Sequence, residues 1–494
     1  MKIKLQIYIL GKVMAIEGIL ILLPVICGLI YGELRNSVIY ALLAICYIAV
    51  GLLISLKRPK KMTIYLKDGC IATALSWIVL SICGCLPFIV TGEIPSFTNA
   101  MFETVSGFTT TGASILTNVE GLSHISLMWR SLTHWIGGMG VLVFLLAVVP
   151  MSGGSNLNLM KAESPGPSVG KFVPKVRTTA KALYMIYLLL TIMEIIVLFI
   201  AGMPFFDSIC SAFGTAGTGG FGIRNDSFAS YAPHIQWIVA VFMIMFGVNF
   251  NFYYLLLAKQ PGKALKLSEV KVYLGIILVS TIVITINVLK ITGTSAEAAR
   301  QSFFQVATVI TTTGFATTDF DKWPTLSKLI LVGLMFCGAC AGSTGGGVKV
   351  SRLQIRVKMI AREIGSYINP RSVKRVQIDG KAIDPELERS VSVYFFVFLL
   401  IFTASTLIVG LEGHDLVTTF TSVAATINNI GPGLGLVGPT SNYAFLSGLS
   451  KWVLIFDMLA GRLELFPLVI FLNPLTYKGS FKGLFSKGRT DHSS

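Results

Sequence analysis

Ten apolar stretches in this chain each approach the length of about 20 residues that a helix needs to cross a hydrocarbon core. They fall near residues 10–31, 38–56, 69–91, 124–150, 178–202, 233–257, 270–292, 325–350, 390–411 and 445–474. Four more, at 96–108, 204–214, 298–310 and 415–427, are too short to cross and are expected to enter the membrane and turn back. Each short stretch ends in a glycine motif: Thr109-Thr-Thr-Gly112-Ala, Ala216-Gly-Thr-Gly219-Gly, Thr311-Thr-Thr-Gly314-Phe and Asn428-Asn-Ile-Gly431-Pro. Self-similarity at a fixed period, here about 100 residues, marks an internal repeat. From residue 60 onward the chain therefore reads as helix, half-helix, glycine loop, helix, four times over. Two further helices precede the repeats.

Composition supports a membrane setting. Only 13% of the 494 residues are charged and 53% are hydrophobic, where a soluble domain carries about 25% charged residues. The fold class expected is an all-α polytopic membrane protein. Its four repeats surround one axis, and the divisions fall at 1–60, 61–170, 171–265, 266–385 and 386–494. The net charge of +16 would suggest nucleic-acid binding in a soluble protein. Here most Lys and Arg residues fall in every second loop, at 1–12, 57–67, 161–181, 259–271, 349–389 and 478–489. That asymmetry fixes orientation, so the excess reads as topology and anionic-lipid contact. It puts both termini in the cytoplasm and opens all four glycine loops to the outside. The two crossings per repeat relate the repeats by an axis along the membrane normal. Val13 to Ile30 is interrupted by Glu17 and followed by no small-residue cleavage site, so it reads as a retained helix. The eight cysteines offer no disulfide framework, and Cys337-Gly-Ala-Cys340 reads as small-residue packing.

Irregular backbone at membrane depth is tolerated where it is buried in protein or lines a watery cavity. Four such loops entering from one side should meet at a pore. A bare cation needs backbone carbonyls to replace its hydration shell, and glycine supplies the backbone angles that aim them. The half-helices enter from outside, so their carboxyl ends, which carry partial negative charge, face the pore centre. Glu120, Asp226, Asp319 and Asp321 follow the first three glycines and read either as an outer-mouth funnel or as solvated loop charges.

In the eighth span, Gly338-Ala-Cys-Ala-Gly-Ser-Thr-Gly-Gly-Gly347 places ten small residues mid-helix. Glycine costs about 1 kcal/mol relative to alanine in a helix interior, so Gly342, Gly345, Gly346 and Gly347 should open the helix into a loop. Only the third repeat is expected to carry such a break. A phosphate-loop reading fails because Val348 stands where lysine must follow. Arg462 lies inside the last span, where a central charge costs roughly 2.5–3.5 kcal/mol. It should face the pore or pair internally with Asp457 or Glu464. Arg130 and His134, one turn apart, read as structural.

Ser106-Gly-Phe-Thr-Thr-Thr-Gly-Ala-Ser114, Gly217-Thr-Gly-Gly-Phe221, Ile310-Thr-Thr-Thr-Gly-Phe315 and Asn428-Asn-Ile-Gly-Pro-Gly-Leu-Gly435 resemble the filter loops of the Trk/Ktr/HKT potassium transporters. Met128-Trp-Arg-Ser-Leu-Thr-His-Trp-Ile-Gly-Gly138, Glu163-Ser-Pro-Gly-Pro167 and Gly461-Arg-Leu-Glu464 extend the resemblance, and the leading helix pair is similar to the TrkH type. The resemblance implies potassium uptake, with a filter at Thr110, Thr111, Gly112, Gly217, Thr218, Gly219, Thr312, Thr313, Gly314, Asn429, Ile430 and Gly431. Gly112 goes with potassium, since serine there accompanies sodium transport. The glycine-rich loop would obstruct the closed pore, and Arg462 would lie in the pore beside it. The resemblance also implies a homodimer in the cytoplasmic (inner) membrane. A cytoplasmic nucleotide-binding regulator of the TrkA kind would control it, with nucleotide on that partner only and potassium as the carried ion.

A proton- or sodium-coupled transporter of another small solute is the alternative. It predicts intramembrane carboxylates in inverted halves, and the candidates are Glu17, Glu194, Asp457 and Glu464. No enzyme is expected. Gly166-Pro-Ser-Val-Gly170 matches a hydrolase pattern but lies between membrane helices rather than in a strand–turn–helix context.

Overall fold

The computed structural model describes residues 3–57, 65–140, 176–371 and 375–476, and these are helical almost throughout. The Glu163 and Gly166 motifs lie outside the described residues. The leading pair is α1 (Ile3–Ile30) and α2 (Leu34–Ser55). They cross closely because small residues meet: a Cβ on Gly18 would lie 2.7 Å from the Ala44 carbonyl oxygen.

The repeats follow as expected. The first is α3 (Leu66–Thr91), the half-helix α4 (Phe97–Phe108) and α5 (His124–Met139). The second is α6 (Val176–Ile200), the half-helix α7 (Phe205–Gly217), then α8 (Pro233–Gly247) and α9 (Phe250–Leu257). The third is α10 (Ser268–Val288), the half-helix α11 (Ser295–Ile310), α12 (Thr325–Met335) and α13 (Val350–Ile368). The fourth is α14 (Pro385–Gly410), the half-helix α15 (Leu416–Ile427), α16 (Gly448–Arg462) and α17 (Phe466–Leu472). Two half-helices begin at side-chain caps: Thr294 accepts from the Glu297 N–H and Asp415 from the Thr418 N–H. The Thr418 hydrogen bonds hold the Asp415 carboxyl below its usual range, so the cap is anionic at neutral pH.

The repeats close into a ring. Each half-helix packs against the helices before and after it in its own repeat. The helix that follows each filter also packs on the half-helix of the next repeat: α5 on α7, α8 on α11, α12 on α15, and α16 back on α4. This is a pseudo-fourfold bundle around a single axis. Long apolar side chains on the outer helices, such as Leu42, Leu189, Leu278 and Leu407, are exposed, as lipid-facing positions should be.

Two expectations need correction. Among the described residues, six helices are long and apolar enough to span a membrane, and the α8–α9 pair, bent by 88°, makes a seventh. The stretches at 124–150, 325–350 and 445–474 are not continuous helices. The break after the filter is also not confined to the third repeat. The second breaks at Val248 and Asn249, where the Asn249 side chain caps α9. The fourth breaks at Glu464 and Leu465, both at positive φ, with Pro467 opening α17. In the first, α5 ends at Gly140, with φ +76°. Among the described residues the third break is the longest, running through residues 336–349. One non-helical element sits beyond α13: a hairpin of β1 (Gln377–Ile378) and β2 (Lys381–Ala382). It turns on Asp379 and Gly380, both at positive φ, the type I′ geometry that Asp-Gly favours.

Candidate functional site

The four glycine loops are the carboxyl ends of α4, α7, α11 and α15, and all four end in the same hydrogen-bonded cap. The N–H groups of Thr111, Gly219, Thr313 and Ile430 donate five residues back, to Ser106, Gly214, Thr308 and Ala425, at 2.8–2.9 Å. Those of Thr110, Thr218, Thr312 and Asn429 donate three back, to Gly107, Thr215, Val309 and Thr426. This is a Schellman cap, which needs a left-handed residue. The left-handed positions are Thr110, Thr218, Thr312 and Asn429, at φ 55–58°. A β-branched residue there is an outlier that costs about 1–3 kcal/mol. Three of the four caps carry such a threonine, while Asn429 adopts the conformation readily, so strain is stored at three matching places around one point.

Two residues after each cap residue comes a second left-handed position: Gly112, Gly220, Gly314 and Gly431, at φ 77–92°. The second repeat is therefore one residue out of the register expected, in which Gly219 matched Gly112. Gly220, not Gly219, matches Gly112. Gly219 matches Thr111, and Gly217 matches Thr109, one residue below the corresponding triplets. The sequence signal for this register is Phe221, which follows Gly220 as Phe315 follows Gly314.

In this register the glycines interlock. A Cβ on Gly112 would lie 2.1 Å from the Gly219 carbonyl oxygen, and one on Gly220 would lie 2.0 Å from that of Thr313. On Gly314 it would lie 2.0 Å from that of Ile430, and on Gly431, 2.6 Å from that of Thr111. Each repeat meets the carbonyl of the next, and the fourth closes on the first. The Thr111, Gly219, Thr313 and Ile430 carbonyls thus form one layer of the site, with no room for a side chain on the glycines between them.

Side chains brace this layer: Arg130 and His134 in the structural role expected of them, Asn429, and two that sequence passed over, Glu103 and Tyr443. His134 Nδ1–H donates to the Gly107 carbonyl at 2.7 Å, and Nε2 accepts from the Phe221 N–H at 3.2 Å, tying the first cap to the second loop. Arg130 pairs with buried Glu103 at 2.6 Å, donates to the Gly222 carbonyl at 2.8 Å and stacks 3.6 Å over the Phe221 ring. Glu103 also accepts from the Ile115 N–H at 3.0 Å. Asn429 donates to Thr111 Oγ1 and to the Met458 carbonyl, both at 2.9 Å, joining the fourth loop to the first. Tyr443 donates to the Gly431 carbonyl at 2.7 Å. Nothing in a single sequence singles out Glu103 or Tyr443.

Above the ring lies an open vestibule that reaches Gly112, Gly220, Gly314 and Gly431. Glu120, Asp226, Asp319 and Asp321 are not among the residues lining it. Glu120 accepts from the Asn225 N–H at 3.0 Å and Asp226 from the Ser230 hydroxyl at 3.3 Å. Asp319 pairs with Lys322 at 3.2 Å, and Asp321 lies 3.9 Å from Lys328. They brace loops around the rim. Charged groups that do line the vestibule are Arg130 and Arg224.

Below the ring the glycine-rich stretch between α12 and α13 presses against the caps. The Gly346 N–H donates to Thr312 Oγ1 at 2.6 Å. Cβ atoms on Gly345 and Gly346 would lie 2.9 Å from the Thr311 and Asn428 carbonyl oxygens respectively. The stretch is held from several sides. Thr344 Oγ1 donates to the Phe246 carbonyl at 3.2 Å, the Cys340 N–H to the Gly247 carbonyl at 3.0 Å, and buried Lys349 to Gly345. Arg462 donates to the Thr344 carbonyl at 2.8 Å, to that of Gly138 at 2.6 Å and to that of Gly137. Glu464 pairs with Arg352, and Asp457 accepts from the Ser405 hydroxyl at 2.7 Å. Arg462 therefore ties the loop to the end of α5.

The sequence model of the TrkH family, described as a cation transport protein, matches residues 35–476. The Trk system potassium uptake protein TrkH of Salmonella typhimurium is 36% identical over 431 residues, covering 85% of this chain and 88% of that protein. Its namesake in Vibrio parahaemolyticus is 34% identical over 495 residues, covering 97% and 100%. The crystal structure of the potassium transporter TrkH from Vibrio parahaemolyticus superposes with a TM-score of 0.87 at 32% identity. It covers 97% of this chain and 100% of that one.

Proposed function

The chain belongs to the TrkH family of cation transport proteins, and from that membership we propose that it takes up potassium ions through the ring of interlocked glycines. One observation carries the reading. Four glycines in four repeats each meet the carbonyl oxygen of the next repeat and close into a ring. A dehydrated cation at its centre trades its water shell for carbonyl oxygens, and the four half-helix ends add about half an elementary charge each. Braced on all sides, the carbonyls keep their spacing instead of collapsing on a smaller ion. The filter residues are Thr110 to Gly112, Thr218 to Gly220, Thr312 to Gly314 and Asn429 to Gly431.

Gly342, Gly345, Gly346 and Gly347 form the gate. In the closed state Gly345, Gly346 and Gly347 lie against the inner side of the filter and Gly342 against Asn249, with the loop held by Arg462, whose positive charge also opposes a cation arriving from above. Opening moves this loop aside. Control comes from a cytoplasmic nucleotide-binding regulator of the TrkA kind, with nucleotide on that partner only. The words "Trk system" in the relatives' names support a several-part assembly. The functional unit is a homodimer in the inner membrane, with both termini cytoplasmic and its basic loops on anionic lipid. The exposed face of α13 at Val357, Ile360, Ile364 and Tyr367 is an apolar stripe available to such partners.

Rubidium uptake by bacteria stripped of their own potassium systems tests the reading. Expression of this chain with a matching regulator should restore uptake and growth at low potassium. No uptake by a protein shown to be inserted would contradict it. The rim acids are expected to matter little. Asp226→Asn and Asp319→Asn should each change uptake by less than about twofold, since neither carboxylate lines the vestibule and each is already engaged within its own loop. A larger fall in the initial rate at physiological salt would restore the funnel role.

A further inference from the structure

The gate loop is gripped at both of its ends by one carboxylate outside it. Glu269, in the first turn of α10, accepts from the Ala341 N–H at 2.6 Å and from the Ser351 N–H at 3.2 Å through the same oxygen, Oε1. Its other oxygen faces the Asn249 amide at 3.5 Å. Ala341 precedes the glycines and Ser351 follows them, so this contact holds the two feet of the loop together. The feet also meet directly, with the Val350 N–H donating to the Ala339 carbonyl at 3.0 Å. Carboxylate-to-amide bonds are charge-assisted and about twice as strong as neutral ones.

Glu269 is in turn set from the cytoplasmic side. The preceding residue, Ser268, opens α10. Its N–H donates to Asp379 Oδ1 at 2.9 Å, and its hydroxyl accepts from the Gln354 side chain at 3.0 Å. Asp379 sits at the exposed turn of the β1–β2 hairpin, which Lys358 of α13 holds through the Gln377 carbonyl at 2.7 Å. The hairpin thus caps the helix that carries Glu269 and grips the helix that leaves the gate loop. An exposed lever is joined by three short links to the feet of an intramembrane loop.

We propose that Glu269 is the latch that holds the gate loop shut, and that the 377–382 hairpin, through Asp379, is the handle that sets the latch. Glu269 is a positioning residue: it touches no ion and acts through the Ala341 and Ser351 backbone. Displacing the hairpin removes the cap from Ser268, lets the first turn of α10 shift and frees the two amides. The loop then leaves the Thr311 and Asn428 carbonyls. This rests on the reading of residues 338–347 as the gate.

The test is rubidium flux through the purified full-length protein in liposomes, without any partner, alongside the potassium-over-sodium preference. Glu269→Ala should raise flux about tenfold, the shift expected from losing a charge-assisted hydrogen bond that favours one of two states. Glu269→Gln keeps an acceptor and should fall between. Asp379→Ala, at an exposed turn where folding is not at risk, should raise flux in the same direction by a smaller factor. None should alter ion preference. In a background lacking Gly345 to Gly347, which should itself raise flux, all three effects should vanish. If the deletion alone leaves flux unchanged, the gate reading fails and the latch with it. If the deletion raises flux but neither Glu269→Ala nor Asp379→Ala does, the latch alone is wrong. Effects that persist in the deletion background also overturn it.

Discussion

Serine in place of Gly112 should lower the potassium-over-sodium preference of uptake by about tenfold or more, without removing the protein from the membrane. The added Cβ would start 2.1 Å from the Gly219 carbonyl oxygen, at a φ of +77°. Both features count against it. A left-handed conformation costs a non-glycine residue about 1–3 kcal/mol, and a 2.1 Å approach to backbone cannot be relieved by rotating a side chain. The second loop must move, and with it the carbonyl of Gly219. Since 1.4 kcal/mol is a factor of ten in an equilibrium, a cost at the middle of that range is enough. The ring geometry adds a sharper expectation. Gly220→Ser should do the same damage, because Gly220 occupies the matching place and its Cβ would meet the Thr313 carbonyl at 2.0 Å. Competition of sodium with rubidium uptake reads both. Full preference in both variants would mean that the interlocked glycines do not set selectivity.

Arg462→Ala should raise partner-free potassium flux by about tenfold. Arg462 donates to Thr344 in the gate loop and to Gly137 and Gly138 at the end of α5. Hydrogen bonds from a charged group are worth about 1.5–3 kcal/mol each, so removing even one net bond to the loop shifts its balance by roughly that factor. The same substitution removes a positive charge from below the filter and lowers the electrostatic barrier to a cation. Both changes act in one direction. Arg462→Lys keeps the charge without the planar fork and should recover part of the closure. Liposome flux that stays at the parent level in a monodisperse Arg462→Ala protein would remove Arg462 from the gate.

The architecture was largely legible because the bilayer imposes a ruler on sequence. Half-helices of 12 to 16 residues, such as Leu416–Ile427 and Ser295–Ile310, stand out from full spans by length alone. The threonine and glycine motifs mark their ends. Register in the second repeat was legible only from Phe221, which follows Gly220 as Phe315 follows Gly314, because Gly219 and Gly220 are otherwise interchangeable. The breaks in the other post-filter helices were hidden for a related reason. Val248-Asn249 sits in an apolar run interrupted only by Asn249 and Asn251 over residues 237–257, and its 88° bend comes from capping by Asn249 and from contacts with Cys340 and Gly342 more than ninety residues away. The Glu269 contact is equally non-local. The outer acids illustrate the opposite error. Glu120, Asp226, Asp319 and Asp321 follow their glycines at suggestive distances in sequence, but loop folding spends them on Asn225, Ser230, Lys322 and Lys328.

On the proposed reading one ring, made by the Thr111, Gly219, Thr313 and Ile430 carbonyls, binds the carried ion. Crystals grown in rubidium, with anomalous diffraction collected at its absorption edge, test it directly. A peak is expected on the pore axis within coordination distance of those four oxygens, lost when sodium replaces rubidium. Anomalous density found only elsewhere in the pore, or a ring that stays empty at saturating rubidium, would contradict it.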